Sequence, residues 1–279
     1  MSCHSRTSYS YSVILEHRVI PLHLRKQCTE KVMRRVNSRI TVIIPFYNCP
    51  YVDQAIQSVL NQFSCNVEVI VVDDGSTLYL DKIAPYTSYI QYSRKANGGT
   101  ASALNHGIRH ATGDYIAWLS SDDLYYPGKL QKQWQFMQDW QASASYTSFD
   151  NIDEANRITQ HNMGIHFPNP LEFVRAFLQY NPVNGCTVMI KKEVFSNIGF
   201  FDESLPFTHD VDLWCRMILN GYHFHYLGEP LTAYRVHSEM GTRKHQPALM
   251  EEYTRTKAKY QLPITHLLSS MAPHYQGAH

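Results

Sequence analysis

From residue 40 onward, short runs of β-branched side chains alternate with segments in which apolar residues recur at helical spacing. Residues 40–45 and 67–72 are apolar runs of the first kind, which are typical of buried strands. Between them, residues 51–62 place valine, isoleucine and leucine on one helical face. The pattern predicts a β-α-β unit at the start of the domain.

The alternation continues with predicted strands over residues 89–92 and 115–119 and a predicted helix over residues 100–110. Ser76 or Thr77 can cap a short helix after the second strand. Strands that alternate with helices favour an α/β fold, with a mainly parallel, Rossmann-like central sheet flanked by helices. In such sheets the ligand site lies at the carboxyl ends of the strands.

Beyond residue 126 the pattern is less regular and predicts a smaller mixed region. The expected elements there are helices over residues 127–140, 210–219 and 248–260, and strands over residues 143–146, 187–190, 224–227 and 231–236.

These patterns divide the 279-residue chain into three parts. We expect a poorly ordered or loosely packed leader over residues 1–38 and a domain over residues 39–240. A regular first half (39–125) and a less regular second half (126–240) make up this domain. A C-terminal helix and tail follow over residues 241–279.

Composition restricts the possible partners. The formal charge of +1 provides no overall field that would attract nucleic acid. The six cysteines form no C-x-x-C pair, which favours reduced thiols and a cytoplasmic, reducing compartment. Charged residues and a proline interrupt the apolar stretch at residues 13–24, which therefore predicts neither a signal peptide nor a membrane span. Membrane contact is expected to be peripheral at most, through Arg25, Lys26, Lys31, Arg34, Arg35 and Arg39.

Two acidic pairs, Asp73-Asp74 and Asp122-Asp123, directly follow predicted strands. Adjacent carboxylates repel each other unless a cation, hydrogen bonds or protonation offsets the repulsion. Mg²⁺ and Mn²⁺ bind through one or two carboxylates together with substrate phosphates. Each pair also has an ordinary interpretation as a turn or a helix cap.

Three further segments can carry chemistry, and each has a structural alternative. Asn97-Gly98-Gly99 precedes a predicted helix, where glycines let backbone N–H groups approach a phosphate or simply form a turn. Asp210 lies at the mouth of another predicted helix as a general base or an N-cap. His237 is either a metal ligand or an ordinary histidine.

Taken in order, these segments resemble the family-two nucleotide-sugar glycosyltransferases of the GT-A fold, over roughly residues 39–240. The matching segments are Val42-Ile-Ile-Pro-Phe-Tyr-Asn48, Val69-Ile-Val-Val-Asp-Asp-Gly-Ser-Thr77, Asn97-Gly-Gly-Thr-Ala-Ser-Ala-Leu-Asn-His-Gly107, Gly113-Asp-Tyr-Ile-Ala-Trp-Leu-Ser-Ser-Asp-Asp123 and His209-Asp-Val-Asp-Leu-Trp214.

The resemblance implies that residues 39–125 are the nucleotide-binding half of the domain and residues 126–240 the acceptor half. In that family the second acid of the DDGS segment hydrogen-bonds the uracil imide, which corresponds to Asp74 here, and Tyr47 would stack on the base. Pro45 and Asn97 are expected at the same site. Asp122 would lie near the ribose or the metal shell.

The resemblance also implies a metal and a base. Asp123 would bind the Mn²⁺ or Mg²⁺ ion that bridges the diphosphate, with His237 as a second candidate ligand. Asp210 would take the proton from the attacking hydroxyl, so that a single displacement inverts the anomeric carbon. The chain departs from the family pattern at His209, where an acid is common, and at Ser121 in the metal loop.

The expected function is therefore transfer of a sugar, from a UDP-sugar, to a hydroxyl of a carbohydrate, lipid-linked or protein acceptor in polysaccharide or glycoconjugate synthesis. A Rossmann dehydrogenase or methyltransferase is disfavoured, because no G-x-G-x-x-G segment follows the first strand. A nucleotidyltransferase would carry a glycine-rich basic loop there. A catalytically silent carbohydrate-binding or scaffold protein of the same fold stays open as the alternative.

Overall fold

A computed structural model describes residues 38–62 and 66–275 of the chain, so the expected leader lies almost entirely outside the described residues. The strands are β1 (Arg39–Phe46), β2 (Asn66–Asp73), β3 (Gln91–Arg94), β4 (Tyr115–Trp118), β5 (Leu124–Tyr125), β6 (Ala144–Ile152), β7 (Ile158–Gln160), β8 (Met189–Lys191) and β9 (Phe224–Arg235). The helices are α1 (Val52–Leu60), α2 (Gly99–His110), α3 (Lys129–Asp139), α4 (Pro170–Ala176), α5 (Lys192–Ile198), α6 (His209–Leu219), α7 (Gly241–Lys244) and α8 (Gln246–Tyr275).

The strands form one sheet in the order β3-β2-β1-β4-β8-β6-β9-β5, with β7 paired to β6. The first four strands of this order are parallel, as the β-α-β pattern predicts, and β8 and β6 are antiparallel to the strands before them. The fold is therefore the expected α/β class, a mainly parallel region followed by a mixed one. The buried side chains form two hydrophobic clusters. Ile43 and Ile70 belong to one cluster, and Val42 belongs to the other.

Three local predictions were wrong. Neither Ser76 nor Thr77 caps the helical segment that follows β2, which consists of two 3-10 turns, Leu80–Lys82 and Ala84–Tyr86, the first of which begins after Tyr79. The third strand begins two residues later than expected, at Gln91. The two strands predicted over residues 224–236 are one strand, β9, whose register against β6 shifts near Ser148 and so accommodates the intervening Gly228-Glu229-Pro230 segment.

Helix α8 is longer than predicted and extends past Pro263 to Tyr275. Tyr260 and Ile264 are almost completely buried in the core, so the helix packs against the domain rather than trailing from it. Burial of this face stabilises the helix although a proline in its interior removes one backbone hydrogen bond. Within residues 38–62 and 66–275, no helix combines the length and hydrophobicity that crossing a membrane requires.

Candidate active site

A large cleft opens at the carboxyl edge of the parallel strands. Phe46 is paired with Asp73, and Ile43 is paired with Trp118, so the segments that follow β1, β2 and β4 leave the sheet side by side. The cleft between them has a volume of about 1350 Å³. Seven of the eight predicted site residues line it, namely Pro45, Tyr47, Asp74, Asn97, Asp122, Asp210 and His237.

Asp74 is nearly buried at the end of β2, and its carboxylate is already occupied. Lys95 donates to Oδ1 at 2.6 Å, and the backbone N–H of Gly98 lies within 3.1 Å of both oxygens. The N–H of Gly99 donates to Oδ2 at 2.7 Å. The N-terminal amides of α2, which the sequence offers to a phosphate, are therefore bound by this carboxylate.

The side chains next to Asp74 complete this end of the cleft. Asn97 donates from Nδ2 to the Asp74 carbonyl at 3.0 Å, which holds the glycine turn against β2. Tyr47 is 56% exposed, so one ring face is free to stack on a ligand. Pro45 lies in β1, opposite Val72.

Asp122 and His237 meet because β5 and β9 are antiparallel. Leu124 is paired with Ala233, and continuing this register brings the residues before β5 beside those after β9. His237 Nε2 lies 3.0 Å from Asp122 Oδ2. A carboxylate oxygen and an imidazole nitrogen therefore face the cleft as a pair.

Asp123 is oriented differently from its neighbour and does not line the cleft. Only 1% of its surface is exposed, and its Oδ1 accepts a hydrogen bond from the Arg235 backbone N–H at 2.8 Å. Burial, and secondarily the charge of Asp122, raises the pKa of Asp123 well above its usual range. Cys186 is the polar side chain beside this carboxyl group.

Arg235 is a buried hub that supports the acidic loop from behind. Its Nε donates to the Asp122 carbonyl at 2.7 Å, and its Nη2 donates to Gln54 Oε1 at 3.1 Å. The guanidinium group also lies over the Tyr51 ring, 4.2 Å from the ring centroid. These contacts tie β9, α1 and the loop after β4 together and fix where Asp122 points.

Asp210 faces the cleft from the first turn of α6. The Val211 N–H donates to its Oδ1 at 2.7 Å, and Asn181 Nδ2 donates to its Oδ2 at 3.0 Å. Desolvation by burial raises the pKa of Asp210, although the neighbouring His209 and these hydrogen bonds act in the opposite direction. Burial lowers the pKa of His209, whose ring packs 5.7 Å from Trp118.

Helix α8 anchors the segment that carries Asp210. Glu252 is nearly buried, and its Oε1 accepts hydrogen bonds from the Phe207 N–H at 2.9 Å and the Thr208 N–H at 2.7 Å. Farther along α6, Asp212 accepts hydrogen bonds from Lys259 at 2.7 Å and Tyr260 at 2.6 Å. Both acids therefore bind α6 to α8 in fixed register.

Local sequence patterns identify neither Asn181 nor Glu252 nor Arg235 as part of the site. Each acts across a separation of 29 residues or more, so no local pattern reveals its partner. The one signal in the sequence is the position of Arg235 two residues before His237, in the segment Tyr234-Arg235-Val236-His237.

Comparisons with known proteins show the family to which this chain belongs. The profile described as glycosyl transferase family 2 matches residues 41–199, which is more than half of the chain and ends before Asp210. An uncharacterized glycosyltransferase of Rickettsia typhi, RT0329, is 38% identical over 216 residues, which are 73% of this chain and 65% of that protein. The chain thus spans just under two thirds of that relative.

A second relative and a solved structure extend the comparison. TuaG of Bacillus subtilis, named for teichuronic acid biosynthesis, is 31% identical over 205 residues, covering 71% of this chain and 79% of TuaG. Residues 1–349 of S. aureus TarS in complex with UDP superpose with a TM-score of 0.61 at 19% identity, covering 84% of this chain and 71% of that one. The superposition shows a shared fold, and the profile and the relatives show that the chain belongs to glycosyl transferase family 2.

Proposed function

We propose that this protein transfers a sugar from a UDP-sugar to an acceptor hydroxyl, with inversion at the anomeric carbon. The observation that carries the proposal is the meeting of Asp74, Asp122, His237 and Asp210 in one cleft. They come from widely separated parts of the chain and gather where parallel sheets bind ligands. A site of this kind offers a nucleotide-binding end and a proton-accepting end.

We assign the end of the cleft around Tyr47, Asp74 and Asn97 to the nucleotide of the sugar donor. Tyr47 offers an exposed ring to a uracil base, and the turn held by Asp74 and Asn97 forms the adjacent wall. Because the Asp74 oxygens already accept hydrogen bonds from Lys95, Gly98 and Gly99, we assign this carboxylate chiefly to shaping the pocket. S. aureus TarS has been solved with UDP and with UDP-GlcNAc, which supports a UDP-hexose or UDP-N-acetylhexosamine donor here.

Asp122 and His237 are the residues that we assign to a divalent cation, Mn²⁺ or Mg²⁺. Their Oδ2 and Nε2 atoms lie 3.0 Å apart at the cleft wall, and both atom types bind such metals. In the described part of the chain, no three His, Cys, Asp or Glu side chains are grouped to hold a metal, so substrate oxygens and water would complete the coordination. A bound cation would offset negative charge on the departing diphosphate.

The family resemblance implies Asp123 and His237 as metal ligands. The assignment proposed here keeps His237 and replaces Asp123 with Asp122. Asp123 lies behind the cleft wall with one oxygen bonded to the Arg235 N–H, so it supports the loop from inside. Arg235 in turn holds the Asp122 backbone. The fully buried Asp123 thus acts, through Arg235, on the orientation of the half-buried Asp122.

Asp210 is the assigned general base. Its carboxylate faces the cleft and accepts one hydrogen bond on each oxygen, which leaves each oxygen able to accept another from an acceptor hydroxyl. As that hydroxyl attacks the anomeric carbon, its proton passes to Asp210, and the bond to the diphosphate breaks on the opposite face. This single displacement inverts the anomeric configuration. TuaG and its name support an acceptor in cell-envelope polysaccharide synthesis.

The direct test is release of UDP from a panel of UDP-sugars by the metal-stripped protein, before and after addition of Mn²⁺ or Mg²⁺. We expect metal-dependent release that Asp122→Ala and His237→Ala each reduce by at least tenfold. Asp139→Ala, at an exposed acid on α3, is the matched control and should leave the rate unchanged. A folded wild-type protein that neither binds UDP in calorimetry nor releases it from any donor would contradict the proposal.

A further inference from the structure

Asn181 contacts the carboxylate of Asp210 from a different part of the fold. Its Nδ2 donates to Asp210 Oδ2 at 3.0 Å, and its Oδ1 accepts from the Val183 N–H at 3.2 Å. Because only the amide oxygen can accept from that N–H, the Val183 contact determines which end of the amide faces Asp210. The donor group is therefore fixed in orientation before any ligand arrives.

The loop that carries Asn181 is itself held rigidly against the sheet. Asn184 Oδ1 accepts from the Cys186 N–H at 2.9 Å, and Thr187 Oγ1 donates to the Asn184 carbonyl at 2.7 Å. Gly185 packs so closely on Trp118 that a Cβ atom added there would lie 2.5 Å from the indole ring. The loop thus cannot move relative to β4 without breaking this packing.

The two hydrogen bonds on Asp210 differ in what they fix. The Val211 N–H belongs to the same helix as Asp210 and moves with it. Asn181 belongs to the segment before β8, so its hydrogen bond locks the carboxylate to the sheet. Losing it would leave the side chain oriented only by its own helix.

We propose that Asn181 is the positioning residue of the general base, holding the Asp210 carboxylate in one orientation and in its ionised form. The inference rests on the proposed function of Asp210 and extends it to a residue that does not itself exchange a proton. An amide donor stabilises the carboxylate more than the protonated acid, because the hydrogen bond to a charged acceptor is stronger. Asn181 thus counteracts the effect of burial on Asp210.

The other titratable groups that interact with Asp210 are His209 and Cys215 on α6 and Tyr253 on α8. Burial lowers the pKa of His209, raises that of Cys215 to about 12 and raises that of Tyr253. His209 therefore loses its proton below its ordinary range, and the thiol and phenol keep theirs. The remaining titratable residues of the cleft are the same in wild type and in a variant at Asn181, so a pH-dependent difference between the two proteins would report on Asp210.

The experiment compares Asn181→Leu with wild type, using Asn197→Leu as the control. Asn197 also donates one side-chain hydrogen bond, to Tyr222, but lies on α5 outside the cleft. We expect the loss of turnover in Asn181→Leu to be greater at pH 6 than at pH 9, with UDP affinity unchanged, because a carboxylate without its amide donor is protonated more readily. A loss of equal size at both pH values would overturn the proposal, since it would indicate a merely structural role.

A second measurement separates this inference from the proposed function. Carbon-13 NMR of the Asp210 carboxyl carbon, assigned by its absence in Asp210→Asn, follows its titration without any turnover. We expect the midpoint to move upward in Asn181→Leu, and farther in the near-isosteric Asn181→Asp, which also serves if the leucine variant does not fold. Unchanged midpoints would refute the role of Asn181 even in an active enzyme. A shifted midpoint in a protein without turnover would retain the contact and reject the transferase.

Discussion

Asp74 and Asp210 line the same cleft, yet their surroundings are opposite in character. Asp74 receives hydrogen bonds from a lysine and from two backbone amides at the start of α2. Asp210 receives one from its own helix and one from Asn181, and burial raises its pKa. One carboxylate is fully bound by the protein, while the other retains room to accept a hydrogen bond.

Because the surroundings of the two carboxylates differ, substitutions at Asp74 and Asp210 can separate the contribution of this cleft to binding from its contribution to chemistry. A carboxylate whose acceptor sites are all occupied gives its binding capacity to the fold and shapes a pocket. A partly desolvated carboxylate with open acceptor sites and a raised pKa suits proton transfer. On this comparison, substitutions at the two positions should alter different measured quantities.

The largest effect is expected from Asp210→Asn. An amide cannot take the proton of the acceptor hydroxyl, so kcat should fall by about a thousandfold, within the usual range for loss of a general base. The dissociation constant for UDP in calorimetry should stay within about twofold of the wild-type value. A variant that turns over at the wild-type rate would remove Asp210 from the mechanism and end the comparison.

The next largest effect is expected at the anchor of α6. Glu252→Ala leaves the buried amides of Phe207 and Thr208 without their acceptor, so the free energy of unfolding should fall by about 3 kcal/mol. Glu251→Ala is the control, because its exposed pair with Arg255 contributes under about 1 kcal/mol. Urea unfolding of both variants gives the comparison. Equal losses of unfolding free energy in the two variants would show that Glu252 does not anchor α6.

A smaller effect on affinity is expected from Asp74→Asn. The amide group would lose the ion pair with Lys95 and place its own N–H groups against those of Gly98 or Gly99. The loosened turn should weaken UDP binding by about ten- to a hundredfold, while kcat at saturating donor should change little. A large fall in kcat without loss of affinity would assign Asp74 to chemistry and reverse the comparison.

The smallest effect concerns stability. Because burial raises the pKa of Asp210 in the folded state, the folded protein holds its proton more tightly than the unfolded chain and loses stability as pH rises through that interval. Asp210→Asn should therefore raise the midpoint of thermal unfolding at pH 8 by roughly 2 °C, and by less at pH 4. Calorimetric scans at both pH values test the sign.

The site residues within residues 39–125 could be predicted closely from sequence, because they follow directly on strands with strong local patterns. Asp74 comes after the apolar run that forms β2, and Asp122 comes after β4. Parallel pairing then brings strand ends together without further information. The same reasoning could not tell Asp122 from Asp123, since adjacent residues differ only in the direction in which each side chain points.

Residues 126–240 were predicted less completely, because their geometry depends on contacts between residues that are far apart in the sequence. The short helices α4 and α5 have too few residues to show a helical period, and the register shifts in β9 hid the continuity of that strand. Asn181 and Glu252 have meaning only beside Asp210 and Thr208, which the fold brings to them. A sequence pattern records neither pairing.

Inversion at the anomeric carbon, with Asp210 as the base, is tested most directly by the configuration of the first product formed from an α-linked UDP-sugar. Proton NMR during turnover reports this configuration. Attack by a hydroxyl that Asp210 activates, on the face opposite the diphosphate, predicts a β-linked product in the wild-type protein and its loss in Asp210→Asn. An α-linked product would contradict the account, because it would require a mechanism other than a single displacement through this cleft.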